Sequence, residues 1–219
     1  TKISFINEIA NLCETLGADV HDIAKGMGMD RRIGPKFLHP GPGYGGSCFP
    51  KDTKALLSFA EESGQELGIV RATIEANNNQ IVKMSEKIKL ALDPSNNNQK
   101  VAVLGLTFKP ETDDIRESPS LLLLPDLVRS GITIKAHDPK GLDAAKQVLP
   151  SDIIFCEDMF SAIEGSDAII LLTEWNEYRG LDLNALKRIM QGNVFIDLRN
   201  IYERDTVESH GFSYFCVGR

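Results

Sequence analysis

The chain has 219 residues and a formal net charge of −7, and 42% of its residues are hydrophobic while 25% are charged. This composition is typical of an ordinary globular protein, with enough length for one or two domains and a buried core. The acidic balance, without a lysine or arginine cluster, argues against nucleic acid and against an anionic membrane surface as partners. The apolar runs are also too short to span a membrane.

Four cysteines are scattered along the sequence, and they show neither metal-ligand spacing nor a dense disulfide framework. This pattern favours a reducing, cytoplasmic location and no bound metal. The sequence begins at Thr1 without an initiator methionine and enters an amphipathic pattern at once. We therefore expect it to be a segment of a longer protein.

Residues 1–94 have helical patterns. Phe5, Ile9, Leu12 and Leu16 recur at three-to-four spacing, which predicts a first helix that ends at Gly17. Residues 19–27 predict a short second helix, which Gly28 closes.

Residues 41–52 (GPGYGGSCFPKD) contain four glycines and two prolines, so they predict a loop of fixed and unusual backbone shape. Cys48 stands in this loop, and cysteine is the most nucleophilic side chain near neutral pH. Loops that are held by flanking elements often carry catalytic groups. The alternative interpretation is a tight turn with a buried structural thiol.

Two more helices are predicted after the loop. The third begins near Asp52 and ends at Gly64, and the fourth covers residues 70–92. The predicted apolar face of the fourth helix consists of Ile74, Asn78, Ile81, Met84, Ile88 and Leu92. We interpret this face as core packing.

The pattern changes after residues 93–99, which are polar and resemble a linker. Short apolar runs follow at residues 101–104, 132–136, 153–155, 168–172 and 194–196, with helical stretches between most of them, notably 120–129 and 183–190. Alternating apolar strands and helices predict a parallel sheet that is covered on both faces. Residues 105–109 follow the first strand, where such sheets bind ligands, but they do not form a GxGxxG fingerprint, and we expect none elsewhere in the sequence.

Four stretches resemble one known family in the same order: residues 5–12 (FINEIANL), 41–52, 105–119 (GLTFKPETDDIRESP) and 173–175 (TEW). The family is that of the UDP-glucose dehydrogenases, NAD-dependent enzymes that oxidise the C6 alcohol of a nucleotide sugar to a carboxylate. The resemblance implies an α/β chain. Residues 1–94 would be an all-helical central dimerisation region, and residues 100–219 a Rossmann-like parallel α/β domain that binds UDP.

The resemblance also implies parts that this sequence does not match. The family has an N-terminal NAD-binding domain, followed by a lysine and an asparagine, and it has glutamates that transfer protons. We expect these parts to lie outside residues 1–219.

By resemblance, Cys48 is the nucleophile that holds an aldehyde intermediate, and Asp52 assists the water that hydrolyses the thioester. Taken alone, Asp52 is better explained as a carboxylate that satisfies free amides at a helix start. Lys51 and Arg116 are the residues that the resemblance places near NAD. Lys51 could instead support the Cys48 thiolate, and Arg116 could merely pair with neighbouring aspartates.

The substrate, UDP-glucose, is assigned a larger set by the same resemblance. Its members are Phe37, Leu38, His39, Pro40, Gly41 and Gly45 before the nucleophile, Lys109 in the second domain, and Arg32, which reaches across a homodimer. Arg199 is a weaker candidate for the nucleotide. Phe108 and Trp175 are interpreted either as core residues or as groups that pack against the base.

Three alternatives stay open. The parent protein could act on GDP-mannose or on an N-acetylated UDP-sugar, although the approach to Cys48 and the preceding Ser47 favour UDP-glucose. The chain by itself could be a dimeric nucleotide-sugar-binding module without turnover. An unrelated cysteine hydrolase would need a histidine base, and no histidine of the sequence lies in a supporting motif.

Overall fold

The computed structural model describes residues 1–92 and 99–219. Of the predicted linker at residues 93–99, residues 93–98 lie outside the described residues. The four predicted helices of the first half are confirmed as α1 (Lys2–Leu16), α2 (Val20–Gly28), α3 (Phe49–Glu62) and α4 (Gly68–Ala91). We call these four helices with their connections the helical unit.

The boundaries of these helices follow from their sequence. Gly17 ends α1 with a φ of 67°, a left-handed conformation that favours glycine. Asp19 caps α2, because its carboxylate accepts the amide of His21 at 2.7 Å. The third helix begins three residues earlier than predicted, since Pro50 is well tolerated in a first turn.

The second half forms a six-stranded parallel sheet, which we call the sheet unit. The strands are β1 (Lys100–Leu104), β2 (Thr133–His137), β3 (Ile154–Phe155), β4 (Ala168–Leu171), β5 (Val194–Asp197) and β6 (Ser213–Cys216). Their order is β3-β2-β1-β4-β5-β6, which is the strand order of the Rossmann fold. The predicted parallel sheet is thus confirmed, and the direction of the strand order reverses between β1 and β4.

Within residues 99–219, five α-helices connect or flank these strands: α5 (Ser120–Arg129), α6 (Leu142–Val148), α7 (Met159–Ile163), α8 (Leu183–Ile189) and α9 (Arg204–Ser209). The strand β6 was not predicted. It is a short edge strand in which Tyr214 and Cys216 are buried while Ser213 is exposed, so no continuous apolar run marks it.

The predicted faces of two helices differ from the observed ones. In α1 the side chains of Phe5, Leu12 and Leu16 are 40%, 52% and 70% exposed, and the helix instead buries a face that includes Ile6. In α4 the predicted Asn78 is exposed, whereas its neighbour Asn77 is buried. Polar side chains on the buried face of α4 are hydrogen-bonded, so a pattern of apolar residues alone could not locate that face.

The two units share one hydrophobic core. Ile81, Met84 and Ile88 of α4 belong to the same buried cluster as Leu123 and Leu127 of α5. A second cluster fills the opposite face of the sheet. Within residues 1–92 and 99–219, no helix is long and apolar enough to cross a membrane.

Candidate functional site

A cleft of about 770 Å³ lies where the loop of residues 41–48 meets the carboxyl ends of β1, β4 and β5. Its lining comprises Ile3, Asn7, Lys36, Phe37, His39, Gly41, Gly43, Tyr44, Gly45, Gly46, Ser47, Cys48, Phe49, Phe108, Lys109, Thr112, Asp114, Glu174 and Arg199. The strand order reverses between β1 and β4, and open α/β sheets usually bind ligands at such a reversal, beyond the carboxyl ends of the strands.

The helical unit holds the glycine-rich loop through buried amide side chains. Asn7 on α1 accepts the amide of Gly41 at 2.9 Å, and Gln80 on α4 donates to the carbonyl of Gly41 at 2.9 Å. Asn77 accepts the amide of Tyr44 at 2.8 Å and donates to its carbonyl at 3.2 Å. The loop backbone is therefore fixed by groups that replace the hydrogen bonds of regular structure.

Cys48 is exposed and is the N-cap residue of α3. The Ser47 hydroxyl lies 3.7 Å from its sulfur. The Cys48 sulfur is therefore accessible from the cleft, whereas a structural thiol is usually buried.

Two ion pairs flank the nucleophile. Arg116 donates to both oxygens of Asp114, at 2.9 Å and 2.8 Å, and this contact holds the pKa of Asp114 below its ordinary value. Lys51 lies 2.9 Å from Asp52, and that hydrogen bond raises the pKa of Lys51. Lys51, Asp52 and Arg116 are largely exposed, so these pairs contribute little to stability and leave their charges accessible to a ligand.

The sheet unit supplies the opposite wall. Phe108 and Lys109 follow β1, and the Lys109 ammonium lies 5.3 Å from the centroid of the Phe108 ring. Arg199 follows β5, donates to the carbonyl of Leu172 at 2.6 Å and lies 3.1 Å from the carboxylate of Glu174. The sheet unit therefore brings two cations, Lys109 and Arg199, and two carboxylates, Asp114 and Glu174, to the cleft, which suits a ligand that carries both anionic groups and hydroxyl groups.

Most of the predicted site residues come together in this cleft. Those that line it are Phe37, His39, Gly41, Gly45, Cys48, Phe108, Lys109 and Arg199. The residues that do not line it are Arg32, Leu38, Pro40, Lys51, Asp52 and Arg116. Of these six, Leu38 and Pro40 are buried behind the loop, and the other four are exposed.

Trp175 is a core residue, because it is 3% exposed and its indole donates to Thr107 at 3.2 Å and to Asp138 at 3.3 Å. Phe108 is only partly buried and lines the cleft, so it can contact a ligand whereas Trp175 cannot.

The GxGxxG spacing does occur once, at Gly41, Gly43 and Gly46. It follows no strand, so it lacks the context of a dinucleotide fingerprint.

Asn7, Asp114 and Glu174 line the cleft although neither the sequence pattern nor the resemblance assigns them a role in binding. All three lie within the stretches that carry the family resemblance, and that position is the only signal that could have found them. The amide nitrogen of Asn7 is buried and lacks a hydrogen-bond partner among the described residues.

The fold and the cleft define a Rossmann-type α/β protein with a helical unit that presents a cysteine at the switch point of the sheet. Two models of one family match the chain. The central-domain model covers residues 1–79 and the UDP binding domain model covers residues 102–204. The chain belongs to the UDP-glucose/GDP-mannose dehydrogenase family.

Individual relatives agree with this assignment. The chain is 46% identical to a UDP-glucose 6-dehydrogenase of Rhizobium meliloti and 43% identical to one of Rickettsia bellii, in each case over 100% of the chain and 50% of the relative. The chain thus spans about half the length of these curated relatives.

Solved structures show the same fold. A UDP-glucose dehydrogenase of Pyrobaculum islandicum matches with a TM-score of 0.81 and 34% identity, over 98% of this chain and 47% of that one. An NDP-N-acetyl-D-galactosaminuronic acid dehydrogenase of Methanosarcina mazei matches with a TM-score of 0.88 and 28% identity, over 100% and 48%.

Proposed function

We propose that this chain is the central and UDP-binding part of an NAD-dependent UDP-glucose 6-dehydrogenase, which converts UDP-glucose to UDP-glucuronate. The observation that carries the proposal is the exposed Cys48 at a helix start, in one cleft with Lys109 and Arg199. The named relatives act on UDP-glucose by their descriptions, which supports this sugar over the others.

The chemistry needs a nucleophile because an alcohol becomes an acid through an aldehyde. The Cys48 thiolate adds to the aldehyde carbon and keeps it from escaping. Loss of a second hydride from the adduct leaves a thioester, and water then releases the carboxylate and regenerates the thiol. Asp52 lies in the first turn of α3, with its amide donating to the Cys48 carbonyl at 2.8 Å, and we assign it to the orientation of that water.

The residues near Cys48 fit the phosphates of a dinucleotide, since Lys51 and Arg116 are exposed cations and Arg116 offers a planar fork of donors. NAD would accept one hydride in each of the two oxidations, so two NAD molecules would be used in turn. Lys51 and Arg116 would hold it, while Phe37, His39, Gly41, Phe108, Lys109 and Arg199 bind the nucleotide sugar on the other walls. The backbone at Leu38, Pro40 and Gly45 shapes the path to Cys48.

We also propose a homodimer through the helical unit. Helices α1 and α4 pack against each other, and both expose large apolar side chains. These are Phe5, Leu12 and Leu16 on α1 and Ile69, Val82 and Leu90 on α4. A twofold partner would cover such faces.

The cytoplasmic location stays a prediction.

The test uses the complete gene product with UDP-glucose and NAD, and follows NADH absorbance. We expect the Cys48→Ser variant to lose NADH formation while its UDP-glucose affinity stays nearly unchanged, because the change is close to isosteric but an alkoxide is much harder to form. Cys156→Ser is the matched control, since Cys156 is a free thiol outside the cleft. Wild-type turnover in Cys48→Ser would remove Cys48 from its role.

The 219-residue chain alone is tested separately. We expect it to bind UDP in calorimetry, because its sheet unit is assigned to UDP, and to show no NAD-dependent turnover. Turnover by the complete gene product would exclude a mere binding module. No heat with millimolar UDP would contradict a nucleotide site in this cleft.

A further inference from the structure

Asp138 lies immediately after β2, where Rossmann domains that bind dinucleotides carry the acidic residue for the ribose hydroxyls. Here its side chain is 1% exposed and turns into the protein. One carboxylate oxygen accepts the amides of Leu106 at 2.6 Å and Thr107 at 2.9 Å. The other accepts the amides of Lys140 at 3.0 Å and Gly141 at 2.7 Å.

The oxygen that faces the β1 loop has further donors. The Thr107 hydroxyl lies at 3.0 Å and the Trp175 indole nitrogen at 3.3 Å. Asp138 therefore connects three loops at the carboxyl edge of the sheet, those after β1, β2 and β4. Hydrogen bonds to an ionised carboxylate are roughly twice as strong as those between neutral groups, so this set of donors holds the three loops together.

The backbone around Asp138 is shaped for this arrangement. A Cβ on Gly141 would lie 2.6 Å from the Thr107 methyl and 3.1 Å from the Asp138 carboxylate. A Cβ on Gly105 would meet Thr173 at 2.5 Å, so the β1 loop passes close to the β4 loop. In a dinucleotide domain the amides after the first strand receive a pyrophosphate, whereas here they receive a carboxylate of the chain itself.

We propose that Asp138 is the positioning residue of the nucleotide-binding edge, with its carboxylate in the anion position of the β1 loop. The carboxylate occupies the place that a dinucleotide's pyrophosphate would take, so it excludes a dinucleotide from the sheet unit. It also holds the loop that brings Phe108 and Lys109 into the cleft. The second part rests on the proposed function, since it assigns those two residues to the nucleotide sugar. Asp138 itself does not line the cleft.

The test measures two quantities on the full chain: its thermal unfolding midpoint and its UDP affinity in calorimetry. We expect Asp138→Asn to weaken UDP binding about tenfold or more, because an amide cannot accept from all the donors. In Asp138→Ala, sodium formate should raise the unfolding midpoint and restore UDP affinity relative to equal sodium chloride, because formate can occupy the vacated anion position. The wild-type chain should show no such difference.

Asp167→Asn is the matched control. That carboxylate accepts the amide of Lys100 at 2.8 Å at the amino ends of the strands, away from Asp138. If Asp138→Ala does not fold in chloride, its refolding yield from urea with and without formate is the readout. Indifference of Asp138→Ala to formate in stability or yield would overturn the proposal, because simple loss of packing predicts that result. If the wild-type chain binds no UDP, the proposed function fails, while the formate effect still decides the anion position.

Discussion

At the scale of single residues, the cysteine loop of residues 41–48 depends on glycines that let the two units touch. A Cβ on Gly45 would lie 2.2 Å from the carbonyl oxygen of Glu117, and one on Gly46 would lie 2.7 Å from the Phe108 ring. The amide of Gly46 also donates to the carbonyl of Arg116 at 2.9 Å. The segment after β1 therefore positions the cysteine loop by direct backbone contact.

Substitution of Gly45 tests this contact. We expect Gly45→Ala to lower the free energy of unfolding by about 2 kcal/mol, because the new methyl group must push the loop away from Glu117. UDP affinity should fall as well, since the loop forms one wall of the cleft. The readouts are urea unfolding and calorimetry. Gly180→Ala is the control, because a Cβ there would meet nothing within 4 Å, and equal effects of the two variants would contradict the proposed contact.

At the scale of elements, α1 and α4 act as a frame for a loop that has little regular structure of its own. Asn77 makes two hydrogen bonds with the backbone of Tyr44, and it is 6% exposed. Buried backbone groups that lose their partners cost stability beyond the lost contact. The amide side chains on α4 therefore determine how rigid the loop is.

We expect Asn77→Ala to lower the free energy of unfolding by about 1–3 kcal/mol, because the amide and carbonyl of Tyr44 lose their partners. The loop should also become more sensitive to chymotrypsin at Tyr44. Asn78→Ala is the adjacent control, since Asn78 is exposed. Equal protease sensitivity of both variants and the wild-type chain would show that Asn77 does not restrain the loop.

A second set of contacts joins α4 to α5. The Asp126 carboxylate accepts from Ser85 at 2.5 Å and from Lys89 at 2.6 Å. These contacts, with Lys89 as the larger contribution, lower the pKa of Asp126 from its ordinary value of 3.8. A depressed pKa in the folded state stabilises the protein above the ordinary value, and this stabilisation is lost as the pH falls through the folded pKa.

We expect Asp126→Asn to lower the free energy of unfolding by about 1 kcal/mol at pH 7, a modest effect because the pair is partly exposed. The difference from the wild-type chain should shrink as the pH falls below 3.8. Urea unfolding from pH 7 to pH 3 measures it. Asp143→Asn is the control, since its side chain is 96% exposed. A difference that is constant across this range would contradict a role for the charge.

The elements differ in how well the sequence predicts them. The bounds of α5 are those predicted, and the first five strands agree within a residue, because their apolar runs report burial directly. The sequence could not predict which face of α4 is buried or that Asn77 and Gln80 hold the loop. Their hydrogen-bond partners lie in a loop that is distant in sequence. For the same reason the contacts of Asp138 could not be predicted, since its carboxylate binds three loops that are distant in sequence.

At the scale of the whole molecule, three residues that the family resemblance assigns to the substrate do not line the cleft of one chain, and Arg32 is the exposed one of the three. Arg32 does not line the cleft, its side chain is 88% exposed, and its guanidinium pairs with Asp30. The other predicted substrate residues lie in the cleft or behind its wall. This separation is what a residue that serves the partner's site would show within a single chain.

We therefore predict that Arg32 acts across the dimer. The test mixes full-length Arg32→Ala subunits with Cys48→Ser subunits, each crippled or inactive by itself. In a mixed dimer, one site combines an intact Cys48 from one subunit with an intact Arg32 from the other, so NADH formation should return. Arg31→Ala is the control for the first variant, because Arg31 is also exposed. If no activity returns after subunit exchange has been verified by mass spectrometry, Arg32 works within its own chain or has no role in the reaction.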